Sequence, residues 1–344
     1  MISRFAQSAL VLALFAALCA CDSSPPPQEA GAASSSKSQR NASSQSSSSN
    51  KVLATAEEVA AEARGKVRCP AKIKTPARAK EAPVDDIMGV RPGLAYEEAA
   101  NLVMCTHDLL VVNADTSRRF NINTYGQTIR QGFGAAFAEA KVHKDARDYM
   151  RELNASAMAR GSNAARNNDK PGQSAWYVAT MGLPGEERVV SLAREEWFEE
   201  GRNPTRESVE QALVKKYGQP THVWRAEQLP NGKLTRHADT YKWVYDTFGR
   251  RVAETSPLYH RCAGISSTRG GGSYSPDCGI VVEALVLPVL DNIALARSMT
   301  VGVIDQAGGY ELIMATEQAL QQRDAERRAR EVEEASRNAV APSL

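Results

Sequence analysis

Twice along this chain a capped helix start runs into β-prone stretches joined by turn residues, and this repetition limits the possible folds more than any other feature. The first start is Gly89-Val90-Arg91-Pro92-Gly93-Leu94, followed by Glu97, Glu98, Ala99, Leu102 and Val103. A Pro-Gly turn with early carboxylates predicts a helix beginning there. Short strands are expected at Leu109 to Asn113 and Phe120 to Thr124, a helix at Gly134 to Leu153, and a polar surface loop from Asn154 to Gly172. Trp176 to Met181 and Arg188 to Phe198 read as a hairpin across Gly182-Leu183-Pro184-Gly185. The second start has Asn203 as cap and Pro204 in the first turn, with Val209, Ala212, Leu213 and Tyr217 at helical spacing, stopped by Gly218-Gln219-Pro220. Strands follow at Thr221 to Gln228 and Leu234 to Tyr245, turned by Asn231-Gly232. A further strand pair is expected at Ile280 to Leu287 and Leu295 to Ile304, across Pro288 to Asn292. The expectation is an α+β fold of two tandem helix-plus-antiparallel-sheet halves, 84–202 and 203–310. A charged C-terminal helix from about Glu311 to Arg337 and a tail complete residues 311–344.

The N-terminal residues place this body. Arg4 gives a positive start, and Phe5 to Leu18 is an apolar run interrupted only by Gln7 and Ser8, too short for a comfortable permanent span. Leu18-Cys19-Ala20-Cys21 then resembles the lipobox of bacterial lipoprotein precursors. That resemblance implies a signal peptide over 1–20, cleavage before Cys21, diacylglycerol on the Cys21 thiol and a body in the envelope, with Asp22 leaning toward the inner membrane. Residues 22 to about 50 are rich in Ser, contain Pro25, Pro26 and Pro27, and have no large apolar residue, so they read as a disordered tether. Helical character around Ala54 to Arg64 gives way to a basic, Pro-containing stretch with Arg64, Lys66, Arg68, Lys72, Lys74, Arg78 and Lys80. The whole of 21–83 is therefore assigned as lipidated cysteine and linker, ordered near Cys69. Its basic part is read as solvated, with attraction to anionic headgroups as the sharper alternative.

Four cysteines remain after Cys19 and Cys21: Cys69, Cys105, Cys262 and Cys278. An even number in an oxidising compartment implies disulfides, and three pairings are possible. Sequence proximity favours Cys262 with Cys278 and Cys69 with Cys105. Zinc is the rival, but no pair has the two-to-four-residue spacing of common zinc knuckles.

Gly93-Leu94-Ala95-Tyr96-Glu97-Glu98-Ala99 aligns with Asn203-Pro204-Thr205-Arg206-Glu207-Ser208-Val209. The first resembles the opening of the SmpA/OmlA (BamE-like) lipoprotein domains. Tyr217-Gly218-Gln219-Pro220 and Trp243-Val244-Tyr245-Asp246 resemble how those domains leave the helix and enter a strand. Used twice, the unit is also similar to the tandem architecture of the β-lactamase inhibitor protein family. The resemblance covers about 84–110 and 203–246 and implies a fold, not a specific partner. Long inserts, particularly 114–172, depart from it.

Reactive motifs are sparse. Gly270, Gly271 and Gly272 are followed by Ser273-Tyr274 rather than Lys and Ser or Thr, and there is no G-x-S-x-G elbow or H-E-x-x-H helix. The pairs Glu186-Glu187, Glu195-Glu196 and Glu199-Glu200 would point to opposite faces of a strand, which suits no glycosidase couple. His222, His237 and Asp239 are the nearest approach to a metal or hydrolytic site. A net charge of +2 argues against a dedicated nucleic-acid binder. Neither a cofactor nor a small-molecule ligand is implied. Tyr241-Lys242-Trp243-Val244-Tyr245 puts Tyr241, Trp243 and Tyr245 on one strand face. If the terminal helix covers that face they are core, the favoured reading; if it is open they form a protein-docking surface. The expected function is a noncatalytic, lipid-anchored scaffold or inhibitor that meets an envelope protein. The alternative is a cell-wall hydrolase using His222, His237 and Asp239.

Overall fold

The computed structural model describes residues 52–114, 120–161, 170–263 and 272–340. Cys21, the leader and the serine-rich segment lie outside the described residues. Within the expected linker, β1 (Val52–Ala54) leads into α1 (Ala56–Arg64), the stretch of expected helical character, where Thr55 and Glu58 form a reciprocal capping box. The first half then contributes α2 (Tyr96–Met104), β2 (Leu110–Ala114), β3 (Gly132–Phe137), β4 (Lys141–Val142), α3 (Ala146–Gly161), β5 (Ser174–Met181) and β6 (Arg188–Trp197). The second contributes α4 (Arg206–Tyr217), β7 (His222–Trp224), β8 (Asp239–Val244), α5 (Pro257–Cys262), β9 (Ile280–Val289) and β10 (Asn292–Asp305), and α6 (Gln306–Asn338) ends the chain.

This is the expected α+β class. Eight strands form one antiparallel sheet in the order β2-β3-β5-β6-β10-β9-β8-β7, and β1 pairs with β4 in a separate two-stranded sheet. Each half supplies a helix and four of the eight strands. The last strand of one half lies beside the last strand of the other, β6 against β10, with Ala193 opposite Gly302. The two halves therefore share a single sheet.

One sheet face carries the main core. Here α2 packs on β2, β3 and β6 through Ala99, Ala100 and Val103, and α4 packs on β9 and β10. Val209, Leu213 and Tyr217 of α4 belong to the same buried cluster as Trp176, Leu192, Val282, Ala284 and Val303. The opposite face is covered at one end in two places. Tyr259 and Cys262 of α5 pack with Val244, Val281 and Ile304, and Leu320 of α6 packs with Ala179, Met181 and Val190.

Several boundaries differ from the sequence reading for identifiable reasons. α4 is capped by Thr205, whose hydroxyl accepts from Ser208 N, while Asn203 donates its amide to Ala296 O. Phe120 to Thr124 is not a strand: Phe120 N donates to Gln131 Oε1, and Ile122 packs under Ala179 and Met181. The expected helix at 134–153 is split. Phe133 and Ala135 alternate inward on β3, paired with Val178 and Trp176, and helix begins only at Ala146 and continues to Gly161 into the expected loop. β9 runs on through Pro288, which leaves Leu290-Asp291 as the turn to β10.

Both favoured disulfides are present, Cys69–Cys105 and Cys262–Cys278. The first ties the basic segment to the end of α2. The second joins the end of α5 to the residues entering β9 and closes a sequence separation of 16. Replacing Cys262 and Cys278 together by serine is expected to lower unfolding free energy by about 3 kcal/mol through restored loop entropy. Urea denaturation with and without the pair checks this; an unchanged midpoint would contradict it.

Candidate functional site

The aromatic run does not form an open surface. Tyr241 and Trp243 are fully buried and Tyr245 nearly so. The element over them is α4, not the terminal helix. Tyr217 lies 5.3 Å from Trp243 centroid to centroid, and Trp243 Nε1 donates to Gly218 O at 2.8 Å. Glu210 accepts from the Tyr241 hydroxyl at 3.4 Å, and burial pushes that hydroxyl's pKa up. Trp176 is also fully buried on this face.

The candidate hydrolytic set does not converge. His222 pairs with Lys242 across β7 and β8, so it faces away from Tyr241 and Trp243. Asp239 shares the face of Tyr241, where it binds Arg206 Nη1 at 2.7 Å and accepts from Ala226 N at 2.7 Å. His237 is exposed and precedes the strand. No group of three or more His, Cys, Asp or Glu side chains among the described residues could hold a metal ion.

Around His222 there is instead a buried ionisable cluster that the sequence reading missed. Lys242 Nζ lies 3.4 Å from Glu283 Oε1 and donates to Ala263 O at 2.5 Å. Gln306 Nε2 donates to Cys262 O at 3.1 Å. His222 Nδ1 contacts Glu254, and the imidazole packs on Trp224 with ring centroids 3.9 Å apart. Burial, then the charges of Glu254 and Glu283, raise the Tyr259 hydroxyl to about 12. It is therefore held neutral, with no hydrogen-bond partner for its buried oxygen among the described residues. The amine and the amide are spent on the last carbonyls of α5, so the cluster fastens the disulfide-closed segment to the sheet. One signal was readable: Lys242 alternates with two aromatics, which sends an amine into the opposite sheet face.

Arg78 is the second convergence. Its guanidinium binds Asp85 at 2.7 Å and donates to Pro92 O at 3.3 Å, and it lies 3.9 Å from Asp305, the cap of α6. Burial raises the Asp85 carboxyl despite Arg78 beside it. Three adjoining cavities of about 750, 630 and 380 Å³ all have Arg78 in their walls. With its charge matched by Asp85, Arg78 works as a clasp holding the extended basic segment against the body.

The remaining unusual element is α6. Its buried positions Gln306, Gly309, Thr316, Leu320 and Asp324 form a stripe that stops at Asp324. From 325 to 338 every residue is exposed. The helix continues there on its own ion pairs: Arg327 with Glu331 at 2.6 Å and with Asp324 at 2.6 Å, Arg328 with Asp324, and Arg337 with Glu333. No helix among the described residues is long and apolar enough to cross a membrane. No family model, curated protein or solved structure matches this chain.

Proposed function

We propose that this protein is a noncatalytic protein-binding module of the bacterial envelope. Lipid on Cys21 anchors it to a membrane, and it presents its terminal helix to a partner protein. The observation that carries the reading is the distal part of α6, fourteen positions of helix (325–338) with no burial against the body. At 1.5 Å per residue this is roughly a 20 Å arm. A helix whose last four turns contribute nothing to the core is accounted for by what it meets outside the body. A lipid on Cys21 supports the same reading, since anchoring at a membrane raises effective concentration for partners there. Within the proposal, scaffold and hydrolase inhibitor are two versions of one binding role.

The test places photo-crosslinking residues at Glu326, Arg330 and Glu334 in the full lipoprotein in cells, with exposed Gln211 of α4 as reference. A discrete adduct of the same mass is expected from the α6 positions and not from Gln211. Deleting 325–344 is expected to abolish function in the cell while leaving Tm within about 2 °C, because exposed helix contributes little stability. An absent α6 adduct, or a truncated chain that keeps its complexes, would overturn the proposal.

A further inference from the structure

We propose that the groove beside Arg78 docks an extended peptide segment of a partner protein, with a basic side chain in its acidic half and an aliphatic one in its apolar half. The groove adjoins the first turns of α6, away from the exposed arm, and does not depend on that arm. It consists of the cavities of about 750 and 630 Å³, which adjoin because Arg78, Ala82, Pro83 and Asp85 belong to the walls of both.

The larger cavity is acidic. Glu81 and Glu311 both line it, both are exposed, and neither has an ion-pair partner among the described residues. Asp305 is a third carboxylate in this wall, and Arg78 is the one cationic side chain among its described lining residues. Asp85 already matches that guanidinium. Asp85 is almost wholly buried; its Oδ2 takes both Arg78 contacts, at 2.9 and 2.7 Å, and its Oδ1 has no hydrogen-bond partner among the described residues. The wall thus holds negative charge in excess. Its carboxylates form no group that could hold a metal ion, so the cation they suit is an ammonium or a guanidinium.

Phe248 lines the same cavity and is 80 % exposed. Its turn is braced, because Asp246 Oδ1 accepts from both Phe248 N and Arg250 N at 2.9 Å. Gly249 lets that turn meet the extended basic segment: a Cβ there would lie 3.0 Å from Pro83 Cδ. A braced aromatic ring beside uncompensated carboxylates offers a cation both charge and ring contact. The second cavity differs. Its two carboxylates, Asp85 and Asp86, are balanced by Arg78 and Arg91, and Ile73 and Val84 line it at 47 and 40 % exposure. Charge complementarity therefore selects a cation for one half only. A free polyamine would meet the carboxylates but has nothing to set against Ile73 and Val84. Side chains on one face of an extended peptide recur about every 7 Å, so a basic and an aliphatic residue two positions apart can enter adjoining cavities.

The test titrates a fluorescein-labelled Lys-Ala-Lys-Ala-Leu peptide with the full-length chain in nonionic detergent and follows anisotropy. A Glu-Ala-Glu-Ala-Leu peptide and spermidine are the comparisons. The basic peptide is expected to bind at least about tenfold more tightly than the acidic one, and to weaken as salt is added. Glu81→Gln combined with Glu311→Gln should weaken it about tenfold, and Phe248→Ala about fivefold. Circular dichroism should not change, since all three side chains are exposed. Deleting 325–344 should leave the affinity as it is. Equal binding of the acidic peptide, or full binding by the double glutamine variant, overturns the proposal. Spermidine binding as tightly as the peptide makes the groove a polyamine site and overturns the peptide occupant. Binding lost with 325–344 assigns the peptide to the α6 arm and overturns the groove. Peptide binding that persists while the α6 crosslinks fail overturns the arm reading and leaves the groove standing.

Discussion

Replacing Trp243 with alanine is expected to lower the free energy of unfolding by about 3–5 kcal/mol, one of the largest single-residue effects in this chain. The side chain is fully buried beside Tyr217 and Tyr241, so truncation leaves a cavity between α4 and β8. It also removes the indole N–H donated to Gly218 O, leaving the carbonyl that follows α4 without this donor. Trp243→Phe should recover most of the packing and cost about 1 kcal/mol, mainly for the lost hydrogen bond. Urea unfolding read by circular dichroism and by fluorescence would measure both. A docking surface predicts the reverse, a stable variant that loses its complexes. A Trp243→Ala chain with an unchanged midpoint would therefore contradict the core assignment.

The aromatic run shows what the sequence does and does not carry. Period-two alternation is sufficient to place Tyr241, Trp243 and Tyr245 on one face, and to send Lys242 to the other. It carries no information about which helix covers which face. That depends on the side to which the chain crosses after each strand, so α4, adjacent in sequence, takes the aromatics. The terminal helix leaves β10 after Asp305 and packs on the other side through Leu320.

Turn chemistry was the most legible signal. Gly182 to Gly185 fixed the β5–β6 hairpin, and Gly182 has φ 148 with a virtual Cβ only 2.8 Å from Glu187 Cα, so no side chain fits there. Cysteine proximity likewise led to both disulfides. Residues 120–124 and 134–145 depart from expectation because Phe120 and Ile122 are β-prone residues used for packing without a strand partner, and because the small residues of β3 look equally suited to helix. The buried Lys242–Glu283 pair with Gln306, and separately Arg78 with Pro92 and Asp305, are brought together from segments distant in sequence, and no local pattern announces such a meeting.

Asp239→Ala is expected to cost about 3–5 kcal/mol of stability, whereas His237→Ala should change it by less than about 0.5 kcal/mol. Asp239 is almost wholly buried, and its Oδ1 takes both the Arg206 guanidinium and the Ala226 N–H. Removing the carboxylate leaves Arg206, itself mostly buried, as an uncompensated charge between α4 and β8. Asp239→Asn keeps an acceptor for Ala226 N and should fall between the two. Chemical denaturation of the three variants orders them. A hydrolytic pair predicts a different pattern, with both alanine variants folded normally and both inactive. The ion pair explains why a carboxylate two residues from a histidine is not free for chemistry here. Asp239 fastens the first turn of α4 to the strand whose next inward residues, Tyr241 and Trp243, are covered by the rest of that helix. The same interaction that closes the aromatic face occupies the carboxylate, so an open docking surface and an available general base fail together at Asp239.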